Sequence, residues 1–411
     1  MNNTRYIEGV KQSVVISLWF MFLTFPIMVI RVDTIEKTID WRWMNMVYVG
    51  ISSFVLSFVW RYLTGKSTSR KAERADRKRE RKSFLQRVAS EKKLSLPAIA
   101  VVALAAAVFP FVSSTYQTNI MTTALMYVVL GLGLNIVVGQ AGLLNLGYVA
   151  FYAAGAYTYA LLYYHFGVGF WLALPLGALA ATILGILLAL PVLRLQGDYL
   201  AIVTLGFGEI TRIVLENWNE FSFGPSGISG IPRPGLFGME LSMQDAQVYL
   251  YFLMIGLCIV TMFVVNRLQD SRIGRALLAL REDEIACQAM GIDKTKVKMT
   301  AFALGSTWAG LVGVFFAAKT TFVNPASFTF LESAMILSIV VLGGTGSIIG
   351  IVIGALVLIL LPEYLRAFSD YRMILFGIIM VIMMVFRPQG IVAGVRKKYE
   401  FQTEGDKLKK L

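Results

Sequence analysis

The sequence predicts an all-α fold, a polytopic transmembrane helical bundle of about 10–12 spans. Three observations carry this reading. The chain of 411 residues is 57% hydrophobic and 15% charged, against about 25% charged in soluble domains. Apolar runs of roughly 17–25 residues recur along its whole length, each long enough to cross a hydrocarbon core of about 30 Å. The runs are continuous rather than alternating, which excludes a β-barrel.

The elements follow in order. Residues 14–30 form the first apolar run. It carries Trp19 and Pro26, and no small-x-small cleavage site follows it, so it reads as a retained span rather than a signal peptide. Trp41 and Trp43 are placed as interfacial anchors before a second span at 44–60. Residues 61–93 hold 13 Lys/Arg against 4 acids, and such a basic loop belongs on the cytoplasmic side. Within it, Gly65-Lys66-Ser67 resembles the end of a phosphate-binding loop. Trp60 stands where that motif needs its first glycine, and no strand precedes it. Further spans are expected at 96–112, 119–138, 141–164, 169–193, 198–216, 248–266, 299–319, 332–343, 346–366 and 371–386. The run 332–343 is short for a crossing, so it reads as a half-helix or part of a re-entrant pair.

Orientation is checked by charge. Counting crossings from 61–93 puts the Gly/Pro-rich stretch 217–247 outside, where Arg233 is the one basic residue against Glu220, Glu240 and Asp245. The same count puts 267–298, with seven Lys/Arg, and the tail 387–411, with seven, inside. Both termini are then cytoplasmic. Three regions result: residues 1–94, a pair of spans with the basic loop; residues 95–390, the membrane core with the loop 271–298; and residues 391–411, a basic tail. The net charge of +13 is accounted for by positive-inside topology and anionic lipid headgroups rather than by nucleic acid.

Catalytic signatures are lacking: the sequence has no His-Glu-x-x-His and no Gly-x-Ser-x-Gly. Cys258, Cys287 and His165 are too scattered for a metal cluster. The chain is therefore read as a non-enzyme that binds no metal. Two Gly-rich turns interrupt apolar runs, Gly139-Gln140-Ala141-Gly142 and Gly343-Gly344-Thr345-Gly346. Asn135, Gln140 and Asn145 flank the first. With Gly343 and Gly344 they are candidates to line a translocation path; amides that bridge helices are the alternative. Gly346, Gly350 and Gly354 at four-residue spacing suit close helix packing. Glu209, Arg212 and Glu216 are spaced to pair with one another on one helix, near Asp198.

The stretch 271–298 is a charged island that reads as two short helices, about 273–281 and 283–290. Asp283 suits the N-cap of the second and Gly291 its C′ position. Leu277, Leu280, Ile285, Ala286 and Met290 are expected to form one apolar side. A chain that moves solute uphill needs about 1.4 kcal/mol per tenfold gradient. With no nucleotide site of its own, it would receive that energy from a partner, and this stretch is the best-placed receiver.

Several motifs now fall into a pattern. GLGLNIVVGQAGLLNLGYVAFYAAGAY at 131–157, LQGDYLAIVTLGFGEITRIV at 195–214, GPSGISGIP at 224–232, VLGGTGSIIGIVIGA at 341–355 and RPQGI at 387–391 resemble, in one order, the permease subunits of bacterial branched-chain amino acid ABC importers. The resemblance covers roughly residues 95–395. It implies a fold like the type II ABC importers and a place in the bacterial inner membrane. The implied partners are a second, homologous permease, two cytoplasmic ATPase subunits that bind ATP and Mg, and a periplasmic amino-acid-binding protein. The implied cargo is leucine, isoleucine and valine; urea or short-chain amides, or a stand-alone channel, are the alternatives. No cofactor is expected on this chain. Matched by position, Gly274, Arg275, Arg281, Glu282, Asp283, Glu284, Ala289 and Gly291 would couple to the ATPases. Cys287 departs from the family pattern, where alanine is more usual.

Overall fold

The computed structural model describes residues 106–195, 197–235, 242–364 and 390–392, with 30–33, 38–41 and single positions before residue 52 and at 377 and 381. Most of the expected spans at 14–30, 44–60 and 371–386, the basic loop, residues 96–105 and nearly all of the tail lie outside the described residues. The chain divides into two compact units, Met1–Ala98 and Ile99–Leu411. In the first, β1 (Ile30–Asp33) pairs antiparallel with β2 (Thr38–Trp41).

In the second unit, α1 (Thr115–Asn135) starts at a capping box in which Ser114 and Gln117 satisfy each other's backbone N–H. It runs on into a π-helical turn, Ile136–Gln140. The apolar pattern predicts a span over 141–164, but α2 is Val149–Phe166. Residues 141–148 leave the helical path because Gly142 takes a positive φ of 72°. The Leu146 N–H then donates to the Thr204 hydroxyl at 3.0 Å, outside any helix. There follow α3 (Phe170–Val192), α4 (Asp198–Asn217) and α5 (Met243–Asp270). The short helices α6 (Arg272–Glu282) and α7 (Glu284–Ala289) come next, then α8 (Lys294–Thr320), α9 (Phe330–Gly343) and α10 (Ile348–Tyr364).

Among the described residues, five segments are long and apolar enough to cross a membrane: Thr115–Gln140, Phe170–Val192, Gln244–Asp270, Lys294–Thr320 and Pro325–Gly343. The last absorbs the short run 332–343 into a 19-residue element that opens with the 3-10 turn Pro325–Ser327. The chain is thus a multi-pass helical membrane protein.

Helix α8 is the hub, packed along α3, α2 and α1. Small residues permit this. A Cβ on Gly155 of α2 would lie 2.1 Å from the Gly310 carbonyl of α8, so only glycine lets these backbones touch. Thr182 and Thr307 hydroxyls bridge α3 and α8 at 2.7 Å. On the rim, Leu172, Leu179, Ile183 and Leu187 of α3 are exposed. Such a surface suits lipid tails or another apolar helix. Arg212 of α4 pairs with Glu209 at 3.0 Å and Glu216 at 2.8 Å, the self-neutralised face expected from the sequence. The connection after α4 returns through β3 (Ile228–Ser229), which pairs antiparallel with β4 (Phe322–Val323) after α8.

Candidate coupling element and translocation site

The two-helix element α6–α7 is built as its sequence suggests. Ser271 caps α6 by accepting from the Gly274 N–H at 3.1 Å. Gly274 is buried where a Cβ would lie 2.0 Å from the Leu268 carbonyl, so the α5–α6 corner admits no side chain. Asp283 caps α7, accepting from the N–H groups of Ile285 at 2.8 Å and Ala286 at 2.9 Å. Helix α7 ends in a Schellman motif: Ile292 N–H donates to the Cys287 carbonyl and Gly291 N–H to that of Gln288, with Gly291 at φ 81°. Asp293 then caps α8 through the Lys296 and Thr295 N–H groups. Those bonds, the Lys296 one first, hold its carboxyl below the usual carboxylate range.

One sequence expectation needs correction. Leu277 and Leu280 are buried, but Ile285 is 80% exposed and Met290 81%. The buried residue of α7 is Cys287. Ile285, two positions earlier, therefore points the opposite way. The pair presents Ile273, Leu278, Ile285 and Met290 outward, with Ala286 exposed as well, instead of forming one continuous apolar side. Of the other coupling candidates, Arg275, Arg281, Glu282, Asp283, Ala289 and Gly291 are exposed, while Glu284 is half-buried.

The element is tied to the bundle at two places. Glu284 meets Lys298 of α8 at 2.7 Å, in an orientation that makes an ion pair rather than a hydrogen bond. Lys294 approaches the same oxygen at 3.6 Å. The Lys298 side chain is 1% exposed, and its ammonium also lies 3.4 Å from the Leu193 carbonyl at the end of α3. At the second place Arg281 donates to the Gly139 carbonyl in the π-helical turn. Gly139 abuts Gly346, whose N–H donates to the Asn135 side-chain oxygen at 2.8 Å and whose carbonyl accepts from Gln269 at 3.2 Å. The two Gly-rich turns of the sequence therefore meet each other, at the end of the bundle that carries α6.

The expected path residues divide. Asn135 reaches this junction through the Gly346 N–H, whereas Gly343 packs on Gly350 and Gly344 on Gly390. Gln140 is buried, and both its side-chain polar atoms lack a partner among the described residues. Asn145 instead accepts from the Gly147 N–H at 3.0 Å, beside α4. Gly350 and Gly354 pack α10 on α9, with a Cβ on Gly350 only 2.0 Å from the Gly343 carbonyl. Two charged groups escaped the sequence reading. Lys319 and Glu332 fall at the edges of the expected spans 299–319 and 332–343, where no motif singles them out. The structure puts them against α1, at Thr123 and Tyr127.

Comparison with known proteins agrees with this architecture. Residues 116–384 match the family model described as branched-chain amino acid transport system / permease component. The chain is 46% identical over 333 residues to the high-affinity branched-chain amino acid transport system permease protein LivM of Salmonella typhimurium, covering 76% of this chain and 78% of that one. The LivM protein of Escherichia coli K12 is 46% identical over 332 residues, covering 76% and 77%. The E. coli K12 permease protein LivH is 23% identical over 294 residues, covering 67% and 93%. No solved structure matches the chain. With a tied-down two-helix element at one end of a Gly-packed bundle, and relatives of this identity along three quarters of its length, the chain belongs to the permease-component family of branched-chain amino acid transport systems.

Proposed function

We propose that this chain is the inner-membrane permease subunit of an ATP-binding cassette importer for leucine, isoleucine and valine. It pairs with a second, homologous permease. A periplasmic binding protein delivers the amino acid, and two cytoplasmic ATPase subunits, which hold ATP and Mg, drive the cycle. The loop 271–298 and both termini face the cytoplasm. The chain itself does no covalent chemistry.

The observation that carries this reading is the α6–α7 element. It presents Ile285 and Met290 outward beside Glu282, and it is anchored inward through Arg281 and Glu284. An ATPase that grips the outer side moves the anchors with it. Arg281 pulls on the contact between the Gly139 and Gly346 turns, and Lys298 pulls on the ends of α3 and α8. That is coupled two-state motion through named contacts. The candidate path residues Asn135, Gln140, Gly343 and Gly344 lie at or next to the first of these, where a shift of the turns would open or close a way through; Asn145 stands apart, beside α4.

The test is reconstitution of both permeases, the ATPases and the binding protein in liposomes, with labelled leucine outside. Leucine import that requires ATP and every subunit supports the reading. Leucine flux through this chain alone would establish a channel or facilitator instead. Import of urea or acetamide in place of leucine would reassign the cargo.

A further inference from the structure

A second set of polar groups lies away from the coupling end. Tyr127 stands halfway along the 26-residue segment Thr115–Gln140, and its hydroxyl donates to Glu332 of α9. One turn earlier on the same face of α1, the Thr123 hydroxyl accepts from Lys319 of α8. Four residues of helix separate the two contacts by about 6 Å. All four side chains are half-buried. Among the described residues neither Lys319 nor Glu332 has an ion-pair partner. Each charge is met by one neutral hydroxyl, although an ammonium has three donors and a carboxylate about four acceptor positions. Charges inside a span are costly when left so poorly matched. Beside them stands an aromatic wall. Tyr152, within electrostatic reach of Tyr127 and Glu332, packs on Phe316 and Phe328 with ring centroids 5.3 Å away in each case. Phe316 precedes Lys319 by three residues on α8 and shares its face.

We infer that Lys319 and Glu332 form a binding station for a zwitterionic α-amino acid with an aliphatic side chain. The inference rests on the reading of the chain as an amino-acid permease. The solute's carboxylate accepts from Lys319, its ammonium donates to Glu332, and its side chain lies along Tyr152, Phe316 and Phe328. The zwitterion supplies in one molecule the two opposite charges that the site lacks, so binding leaves no net uncompensated charge. Thr123 and Tyr127 hold the two protein groups one turn apart in readiness.

The test uses the complete transporter in lipid nanodiscs, without the binding protein. Binding of radiolabelled leucine is competed by leucinol, which has only the ammonium, and by 4-methylpentanoate, which has only the carboxylate. The wild-type complex should prefer leucine to either competitor by at least about tenfold. Lys319→Met should abolish the preference over leucinol and keep that over 4-methylpentanoate. Glu332→Gln, which retains the bond from Tyr127, should do the reverse. Tyr127→Phe, which removes one hydroxyl only, should weaken binding without changing the order. Co-purification of all subunits verifies that each variant is assembled. Equal loss of both preferences in the two variants, unchanged preferences, or no leucine binding by a wild-type complex that imports leucine would each overturn the station. A wild-type complex that imports no leucine would overturn the proposed function instead.

Discussion

Lys298→Met should loosen α7 without unfolding the bundle. The Lys298 side chain is 1% exposed, 2.7 Å from Glu284, whose own side chain keeps 17% exposure. Removing one partner of a fully buried pair costs about 3–5 kcal/mol. Here Lys294, at 3.6 Å, remains as a substitute cation, and Glu284 keeps some access to water. The cost therefore falls to about 2 kcal/mol, which corresponds to roughly a thirtyfold rise in the open population of α7. Hydrogen–deuterium exchange of peptides spanning 284–292 reads this directly, since exchange follows local opening. The control is Lys296→Met. That side chain is 84% exposed in its pair with Asp293, and such pairs contribute little. Exchange in Lys298→Met within about twofold of wild type would refute the reasoning.

Three other outcomes are expected. Gly350→Ala should lower the unfolding temperature of the purified protein, because its Cβ would meet the Gly343 carbonyl at 2.0 Å and overpacking costs about 1–3 kcal/mol; Gly256→Ala, with nothing within 4 Å, should not. Asp283→Ala should raise exchange at the Ile285 and Ala286 amides, since loss of an N-cap costs about 1 kcal/mol. Burial and, second, the Glu284 carboxylate push the Cys287 thiol above its ordinary value. In a Cys258→Ser background, alkylation by iodoacetamide at neutral pH should therefore be slower than that of a free thiol and accelerate as pH rises; a rate equal to the free thiol's would contradict this.

What the sequence made legible was set by local rules. The α6–α7 break, the Asp283 cap and Gly291 follow from capping chemistry, and the observed helices depart from the expected bounds by a residue or so. Gly350 and Gly354 packing followed from spacing, whereas Gly346, expected in the same stripe, precedes α10 at φ 86° and packs no helix face. What failed depended on tertiary placement. Which side of α7 is buried is decided by the seat of Cys287 against the bundle, so Ile285 and Met290 could not be assigned from periodicity over six residues. The start of α2 at Val149 depends on the Thr204 hydroxyl, far along the chain. Lys319 and Glu332 each stand at the edge of an apolar run, with no motif around them to single them out. Only the packing of α8 and α9 on α1 reveals that they share one helix face.

Charge reversal at Glu282 and Glu284 is the coupling test the sequence suggests. The structure shows that Glu284 also holds α7 to Lys298, so that variant mixes docking with anchoring. The cleaner measurement is ATP-driven leucine import by the reconstituted complex carrying Ile285→Asp and Met290→Asp. Both side chains point outward and contribute little to the bundle. If α7 is the surface through which ATPases drive this permease, import should fall by at least about tenfold while the permease pair inserts and assembles normally. Import at the wild-type rate by that assembled variant would contradict the account.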